Sequence, residues 1–306
     1  MLGLPGEASD AFRIVHAEAD GLPGLVADCY AGTVVLQASA AWIERRKEAL
    51  LKALDAALAP RAILQADDPE FRAREGLEPC QGWLRGAPPP DGRVVIREHG
   101  ASFEVVLGAS QKTGFYLDQR ENRRLAASLA RGRYVLDGFT YTGAFAVACA
   151  RAGAEHVLGV DSSGPALEVA RSNAARNAVG ERVEFIEADA YRLLGEARRQ
   201  GRTFGLVILD PPKYAASRAT VPQALQKLKE LVALGIRVTS PGGILVACSC
   251  SGLVDSGAFD TVLREAAMET RRTLRVFHRG GQAPDHPYSI ACPESRYLQA
   301  VFCHVP

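Results

Sequence analysis

The sequence lacks paired cysteines, long apolar runs and any marked excess of charge. Its seven cysteines are scattered over 306 residues without a C-x-x-C pair. This odd, scattered set argues against a disulfide framework and predicts free thiols in a reducing cytoplasm. No apolar run is long enough for a transmembrane helix. The first ten residues, MLGLPGEASD, do not have the basic leader and apolar stretch of a secretory signal.

A zinc site and a globally basic nucleic-acid-binding protein are both disfavoured. Zinc sites use paired ligands at defined spacings, and Cys248 and Cys250 have no second cysteine pair to join them. The formal net charge is +1, so a nucleic-acid partner must be bound by a local basic patch. Two stretches are rich enough in arginine to form one: Arg120, Arg123, Arg124, Arg131 and Arg133, and Arg271, Arg272, Arg275 and Arg279.

Residues 1–107 predict a small α+β domain. Two apolar runs between residues 12 and 39 are separated by glycine-containing turns, which is typical of a strand meander. Residues 42–58 place leucines and an isoleucine on one helical face. Residues 62–65 and a hairpin of 94–96 with 103–107 predict further strands, and the charged, Pro/Gly-rich segment between them is expected to be a loop.

Residues 108–306 predict an α/β domain. Apolar strands at 134–137, 156–161, 183–189, 204–210 and 243–249 alternate with helices near 143–152, 165–177, 190–199 and 222–238. This alternation is typical of a parallel, Rossmann-like sheet covered on both faces. Ligands of such sheets bind outside the carboxyl ends of the strands, so the residues at those ends are the candidate site.

An acid stands at the end of each of the first four strands, and two cysteines stand at the end of the fifth. The loop after Asp137 contains Gly138 and Gly143, which permit close approach to a ligand and leave backbone N–H groups free at a helix start. Asp161 suits the two hydroxyls of a ribose, and Asp189 could accept from an adenine amino group. Each acid alone is better explained as a helix cap or turn residue, but the ordered set favours a nucleoside-containing cofactor.

Several segments together resemble a known family. They are VLDGFTYTGAFAVACARAGA, VLGVDSSGPALEVARSNAARN, VEFIEADAYRLL, VILDPPKYA, ILVACSCSG and, before the sheet, GASQKTGFYLDQRENRR. Over residues 12–306 the chain resembles the class I, S-adenosylmethionine-dependent methyltransferases of bacteria that make 5-methylcytosine in 23S ribosomal RNA. The resemblance implies a small α+β domain, a Rossmann-like methyltransferase domain and a last antiparallel strand at residues 296–305.

The resemblance also implies roles for individual residues. Lys112 and Arg120 become candidates to neutralise the methionine carboxylate, and Lys112 is grouped with the substrate side. The cofactor-binding set is Asp137, Gly138, Thr140, Thr142, Gly143, Asp161, Ser162, Asp189, Ala190, Asp210 and Arg120. The substrate-binding set is Pro211, Pro212, Lys213 and Lys112. The catalytic pair is Cys250 and Asp210.

A thiol at a strand end has a chemical use in this reaction. Carbon 5 of cytosine is a poor nucleophile until a thiolate adds to carbon 6, which is covalent catalysis. The resemblance places the nucleophile directly before Ser-Gly, at Cys250, while Cys248 lies one pleat deeper and is expected to be a buried apolar residue. Asp210 before two prolines could hydrogen-bond the base or transfer a proton.

Alternatives remain open at this point. Members of the family usually carry an N-terminal PUA RNA-binding domain, whereas this sequence begins almost directly at the central domain. RNA is then gripped by other surfaces, such as those of a homodimer, or the substrate differs, or the sequence is truncated. A guanine-nitrogen methyltransferase of the same fold would not need Cys250. A non-catalytic, cofactor-binding RNA-binding protein would need neither Cys250 nor Asp210.

Overall fold

The computed structural model describes residues 2–108 and 113–306. The chain forms two compact units, of which the first comprises Met1–Arg120 with Ala283–Ser295, and the second comprises Glu121–Gln282 with Arg296–Pro306. These limits do not coincide with the expected boundary after residue 107, which stays a prediction. Every described helix is too short or too polar to cross a lipid bilayer.

The first unit is built on a five-stranded sheet in the order β1-β2-β3-β4-β5. All neighbours in it are antiparallel except β3 and β4, which run parallel and are joined through helix α1. Strands β6 and β7 form a separate hairpin. The elements are β1 Ala11–His16, β2 Leu25–Tyr30, β3 Thr33–Ala38, α1 Ala41–Leu58, β4 Ala62–Ala66, α2 Pro69–Arg74, β5 Gln81–Gly86, β6 Arg93–Glu98 and β7 Ala101–Val106.

Part of the first unit differs from the prediction. The segment expected to be a loop contains helix α2, whose first turn is capped by the Asp68 side chain, and strand β5. Strand β5 was missed because Gly82, Arg85 and Gly86 interrupt its apolar pattern, and it lies at the edge of the sheet, where one pairing partner is enough.

The second unit is a seven-stranded sheet with helices between consecutive parallel strands. Its elements are α3 Arg120–Ser128, whose first residue belongs to the other unit, β8 Tyr134–Gly138, α4 Ala144–Arg151, β9 His156–Asp161, α5 Gly164–Arg176, β10 Val183–Glu187, α6 Ala190–Arg199, β11 Phe204–Leu209, α7 Val221–Val238, β12 Thr239–Ser249, α8 Ser256–Thr270, β13 Arg275–Gly280 and β14 Gln299–Val305.

The strand order of this sheet is β10-β9-β8-β11-β12-β14-β13. The first five strands are parallel to one another. Strand β14 runs antiparallel to both of its neighbours, β12 and β13. The order reverses between β8 and β11, which is the topological switch point where open α/β sheets bind ligands. The predicted Rossmann-like fold and its antiparallel last strand are therefore confirmed.

The core of the second unit explains why the strands are almost continuously apolar. Strands β11 and β12 are buried on both faces, and α7 packs Leu228, Leu231, Val232 and Ile236 against them at helical spacing. With the sheet covered on both faces, polar residues are tolerated mainly at the strand ends. The predicted site residues Asp137, Asp161, Asp210 and Cys250 lie at or directly after the carboxyl ends of β8, β9, β11 and β12.

Candidate functional site

The loop after β8 is organised by the buried Asp137. This side chain is 1% exposed. Its Oδ2 accepts hydrogen bonds from the Thr140 hydroxyl and, at 3.0 Å, from the backbone N–H of Ala146. The loop can turn this tightly because Phe139 and Tyr141 both adopt positive φ angles, of 66° and 51°. Asp137 therefore fixes the path of the backbone between β8 and helix α4.

Burial raises the pKa of Asp137 to about 7. The Thr140 hydrogen bond opposes this change, whereas the nearby carboxylates of Asp210 and Asp161 add to it. Asp137, Asp161 and Asp210 are thus three neighbouring acids at the switch point of the sheet. A buried carboxyl with a pKa near neutrality is the type of group that functional sites contain.

Helix α4 is preceded by a glycine that the packing requires. Gly143 has a φ of 79°, and a Cβ placed on it would lie 2.9 Å from the Phe185 ring and 3.0 Å from the Ala170 Cβ. Glycine is the residue that allows this left-handed, closely packed start. Gly138, at the end of β8, also lies close to its neighbours, because a Cβ on it would lie 3.1 Å from Leu209 Cδ2.

Asp161, at the end of β9, holds two backbone groups. Its Oδ2 accepts from the Tyr141 N–H at 2.8 Å, and its Oδ1 accepts from the Ser163 N–H at 2.9 Å. The carboxylate therefore ties the loop after β8 to the loop after β9. Two oxygens can accept about four hydrogen bonds, so this arrangement leaves capacity for ribose hydroxyls. Ser162, which lies between Asp161 and Ser163 in the sequence, is exposed.

Asp189 is a helix cap in the structure. Its Oδ1 accepts from the Arg192 N–H at 2.8 Å at the start of α6, and the residue is exposed. The adjacent Ala190 is the first, buried residue of that helix. Capping accounts for one oxygen of Asp189, and its role toward an adenine stays a prediction.

The loops after β11 and β12 line one cleft. Asp210 follows β11 and donates its backbone N–H to the Gly138 carbonyl at 3.4 Å. The cleft is lined by Pro211, Pro212, Lys213, Tyr214, Ala215, Ala224, Leu228, Ser249, Cys250, Ser251 and Val254. The predicted substrate-side residues 211–213 and the predicted nucleophile are therefore brought together.

The two cysteines of CSCSG have different environments. Cys248 is 2% exposed and lies inside β12, opposite Ala300 of β14. Cys250 follows the last strand residue, is half-buried, and its Sγ lies 3.5 Å from the Pro211 carbonyl oxygen. Cys250 lines the cleft and Cys248 does not.

Comparisons with known proteins agree with this geometry. The model of the S-adenosylmethionine-dependent methyltransferase family matches residues 25–295. The chain belongs to this family. It is 40% identical to "Ribosomal RNA large subunit methyltransferase I" of Photobacterium profundum and 39% identical to that of Shewanella denitrificans, over 96% of this chain and 74% of each relative. A methyltransferase structure from Streptococcus mutans has the same fold, with 21% identity, a TM-score of 0.85 and coverage of 98% of this chain and 76% of that one.

S-adenosylmethionine is the cofactor of this family, and the loops at the switch point fit it. Asp137 Oδ1 and Thr142 Oγ1 are buried and have no hydrogen-bond partner among the described residues. Orphaned buried polar atoms are costly unless a ligand or water satisfies them. Together with the closely approaching backbone at Gly143, they form a polar cradle suited to a methyltransferase cofactor.

Of the two predicted cations before the sheet, only Arg120 lies among the described residues. Lys112 lies outside the described residues. Arg120 belongs to the first unit, where its buried guanidinium contacts Asp285 at 2.7 and 3.1 Å. Arg13 donates its backbone N–H to the same carboxylate. Although burial opposes this, the hydrogen bonds and charges of His286 and Arg120 hold the pKa of Asp285 well below its usual range. A role for Arg120 toward the methionine carboxylate stays a prediction.

The predicted basic clusters are only partly surface patches. Arg120 and Arg123 are each 2% exposed. Arg272 donates to the backbone carbonyls of Thr239 and Pro306, and Arg279 pairs with Asp260. As a source of surface charge the first cluster is therefore smaller than predicted, because two of its arginines are buried.

Sequence reasoning missed three polar residues of the methyltransferase unit. Tyr214 and Ser251 line the cleft, and Tyr191 contacts Tyr214. The Ser251 hydroxyl is buried and has no partner among the described residues. Tyr214 directly follows Lys213 of the DPPK motif, and Ser251 directly follows Cys250. Their position next to predicted site residues could have indicated that they line the cleft.

Proposed function

We propose that this protein is an RNA methyltransferase that transfers a methyl group to carbon 5 of cytosine in ribosomal RNA, with Cys250 as a covalent nucleophile. The observation that carries the proposal is the position of Cys250. Its thiol faces the cleft formed with residues 211–215, at the carboxyl end of β12. The names of the curated relatives support ribosomal RNA as the substrate.

The thiol has a defined role in this reaction. Cys250 Sγ adds to carbon 6 of the base, which breaks the 5,6 double bond and makes carbon 5 nucleophilic. S-adenosylmethionine, when bound, supplies the methyl group that carbon 5 takes. Loss of the carbon-5 proton then re-forms the double bond and expels the thiolate from carbon 6. Cys250 is therefore unchanged after each turnover.

Neighbouring residues support the same chemistry. The S–H of Cys250 is oriented by the Pro211 carbonyl, and consecutive prolines hold that carbonyl in a stiff turn. Asp210 precedes this turn and is assigned to hydrogen bonding of the cytosine edge or to proton transfer. Lys213 is exposed and lines the cleft, where its ammonium suits a phosphate of the substrate.

The proposal includes a cytoplasmic location and is compatible with a homodimer. All seven cysteines are free, as a reducing compartment requires. A homodimer would combine the exposed arginines of two copies into one phosphate-binding surface.

The experiment compares Cys250→Ala with Cys248→Ala as the matched control. Wild type and Cys248→Ala should transfer tritiated methyl to ribosomal RNA, and Cys250→Ala should not. RNA containing 5-fluorocytosine should trap a covalent adduct with the first two proteins only, since fluorine at carbon 5 blocks the final elimination. Cofactor binding by calorimetry should be the same for all three.

The outcomes separate the proposal from its alternatives. If Cys250→Ala is trapped and Cys248→Ala is not, the nucleophile is Cys248 and not Cys250. Full turnover by both variants would exclude the covalent mechanism, and analysis of methylated nucleosides would then identify a guanine-nitrogen product. Cofactor binding without any methylation would indicate an RNA-binding protein without this activity.

A further inference from the structure

Tyr214 is held in the cleft by a chain of hydrogen bonds. Its hydroxyl lies 3.1 Å from the hydroxyl of Tyr191, which lies 3.0 Å from the backbone carbonyl oxygen of Lys227. A carbonyl oxygen only accepts, so the single proton of Tyr191 goes to Lys227 and the Tyr214 hydroxyl donates to Tyr191. The ring is thereby anchored to helices α6 and α7.

This anchoring matters because Tyr214 lies on an irregular loop. The backbone from Asp210 to Ala215 belongs to no helix or strand, and an aromatic ring on such a loop would otherwise sample several rotamers. The Lys227 ammonium lies 5.8 Å from the Tyr214 ring centroid, within cation–π range. One contact from α7, by the Lys227 ammonium, and one from α6, by the Tyr191 hydroxyl, therefore fix the orientation of this ring.

The ring also stays uncharged. Burial, together with donation to Tyr191, raises the pKa of Tyr214, and the nearby Asp189 and Cys250 raise it further. A neutral phenol does not repel a thiolate that forms in the same cleft. Tyr214 is therefore compatible with an ionised Cys250 beside it.

We propose that Tyr214 is a positioning residue that packs against the extruded cytosine and aligns its carbon 6 with Cys250, and that Tyr191 holds Tyr214 for this purpose. The inference rests on the proposed function and adds a residue pair to it. A flat, neutral, half-buried ring beside a nucleophile suits a pyrimidine, which has two apolar faces. Alignment of this kind can change rates by about 100-fold for a displacement of 1 Å.

The test uses three variants and one control. Tyr214→Leu removes the ring, whereas Tyr214→Phe and Tyr191→Phe both break the hydrogen bond between the two hydroxyls and keep both rings. Tyr191→Phe also breaks the hydrogen bond to the Lys227 carbonyl. Tyr134→Phe is the control, because Tyr134 lies at the opposite, amino end of β8 and is 49% exposed. Thermal midpoints check that each variant folds.

Tyr214→Leu should lower kcat/KM for RNA by about 5- to 150-fold, the range for loss of base–aromatic stacking. Tyr214→Phe and Tyr191→Phe should each lower kcat/KM by about 3- to 10-fold, which is the effect of losing a buried hydrogen bond. Because both variants remove the bond between the two hydroxyls, the double variant should be no worse than Tyr191→Phe alone. Cofactor affinity should stay at the wild-type value in all variants.

The rate of covalent trapping by 5-fluorocytosine RNA completes the test. If wild type forms no adduct, the covalent function fails, and the inference fails with it. If wild type forms the adduct and Tyr214→Leu forms it within twofold of the same rate, the function stands and the positioning role is overturned. Multiplying effects of the two phenylalanine variants would show that Tyr191 does not act through Tyr214.

Discussion

Replacing Asp137 with asparagine should make the second unit more stable at neutral pH and change its dependence on pH. Asparagine keeps an acceptor for the Thr140 hydroxyl and the Ala146 N–H. It also places an N–H₂ group where Oδ1 of the carboxyl has no partner among the described residues. The variant therefore removes a titratable proton with little change in shape.

The size of the effect follows from the pKa. In the folded chain it is about 7, against an ordinary value of 3.8, a difference of about three pH units. At 1.36 kcal/mol per unit this is about 4 kcal/mol. Below pH 4 the group is protonated in both folded and unfolded chains and costs nothing. Between pH 4 and 7 only the folded chain keeps the proton, so wild-type stability falls as pH rises.

Urea unfolding at pH 5 and pH 7.5 measures this difference. Relative to wild type, Asp137→Asn should gain about 2–3 kcal/mol between the two values, since about two of the three units lie in that window. Asp255→Asn serves as the control for losing one carboxylate, because asparagine also caps a helix as Asp255 does for α8. A constant difference between variant and wild type at both pH values would refute the reasoning.

Three further predictions concern the cofactor and the packing. Asp161→Ala should weaken S-adenosylmethionine binding by about 1–3 kcal/mol, and an unchanged calorimetric affinity would remove Asp161 from the site. Gly159→Ala should cost about 1–3 kcal/mol of unfolding free energy, because a Cβ there would lie 2.6 and 2.7 Å from two phenylalanine ring carbons; Gly195→Ala, with no atom within 4 Å, should cost nothing. Asp285→Ala should destabilise the first unit by about 3–5 kcal/mol by leaving Arg120 without its buried carboxylate, and a midpoint equal to wild type would contradict this.

The sequence predicted the second unit better than the first. Strand β9 and helix α6 have the expected limits, and β8, β10 and β11 lie within two residues of theirs. These elements are predictable because a parallel sheet buried on both faces demands apolar strands and amphipathic helices. By contrast, β13 reads RVFHRG, and five of its six residues are exposed. An edge strand needs only one partner, β14, and so leaves no apolar pattern in the sequence.

The candidate site was predictable where a residue's place at the end of a strand is enough to bring it into the site. Cys250 and the 211–213 loop share a cleft because strands β11 and β12 are adjacent and parallel. The contact between Tyr214 and Tyr191 was not predictable, since it joins side chains 23 residues apart through the packing of a helix. The pairing of Arg120 with Asp285 spans 165 residues and leaves no local pattern at all.

That long-range pair has a consequence for the order of events during synthesis. The segment Ala283–Ser295 completes the first unit, although the chain reaches it only after building β13 of the second. At about 5–20 residues per second, a ribosome needs roughly 8–33 s to travel the 165 residues from Arg120 to Asp285. During that time the Arg120 guanidinium has no Asp285 to neutralise it, so the amino-terminal unit, made first, is among the last parts of the protein to be finished.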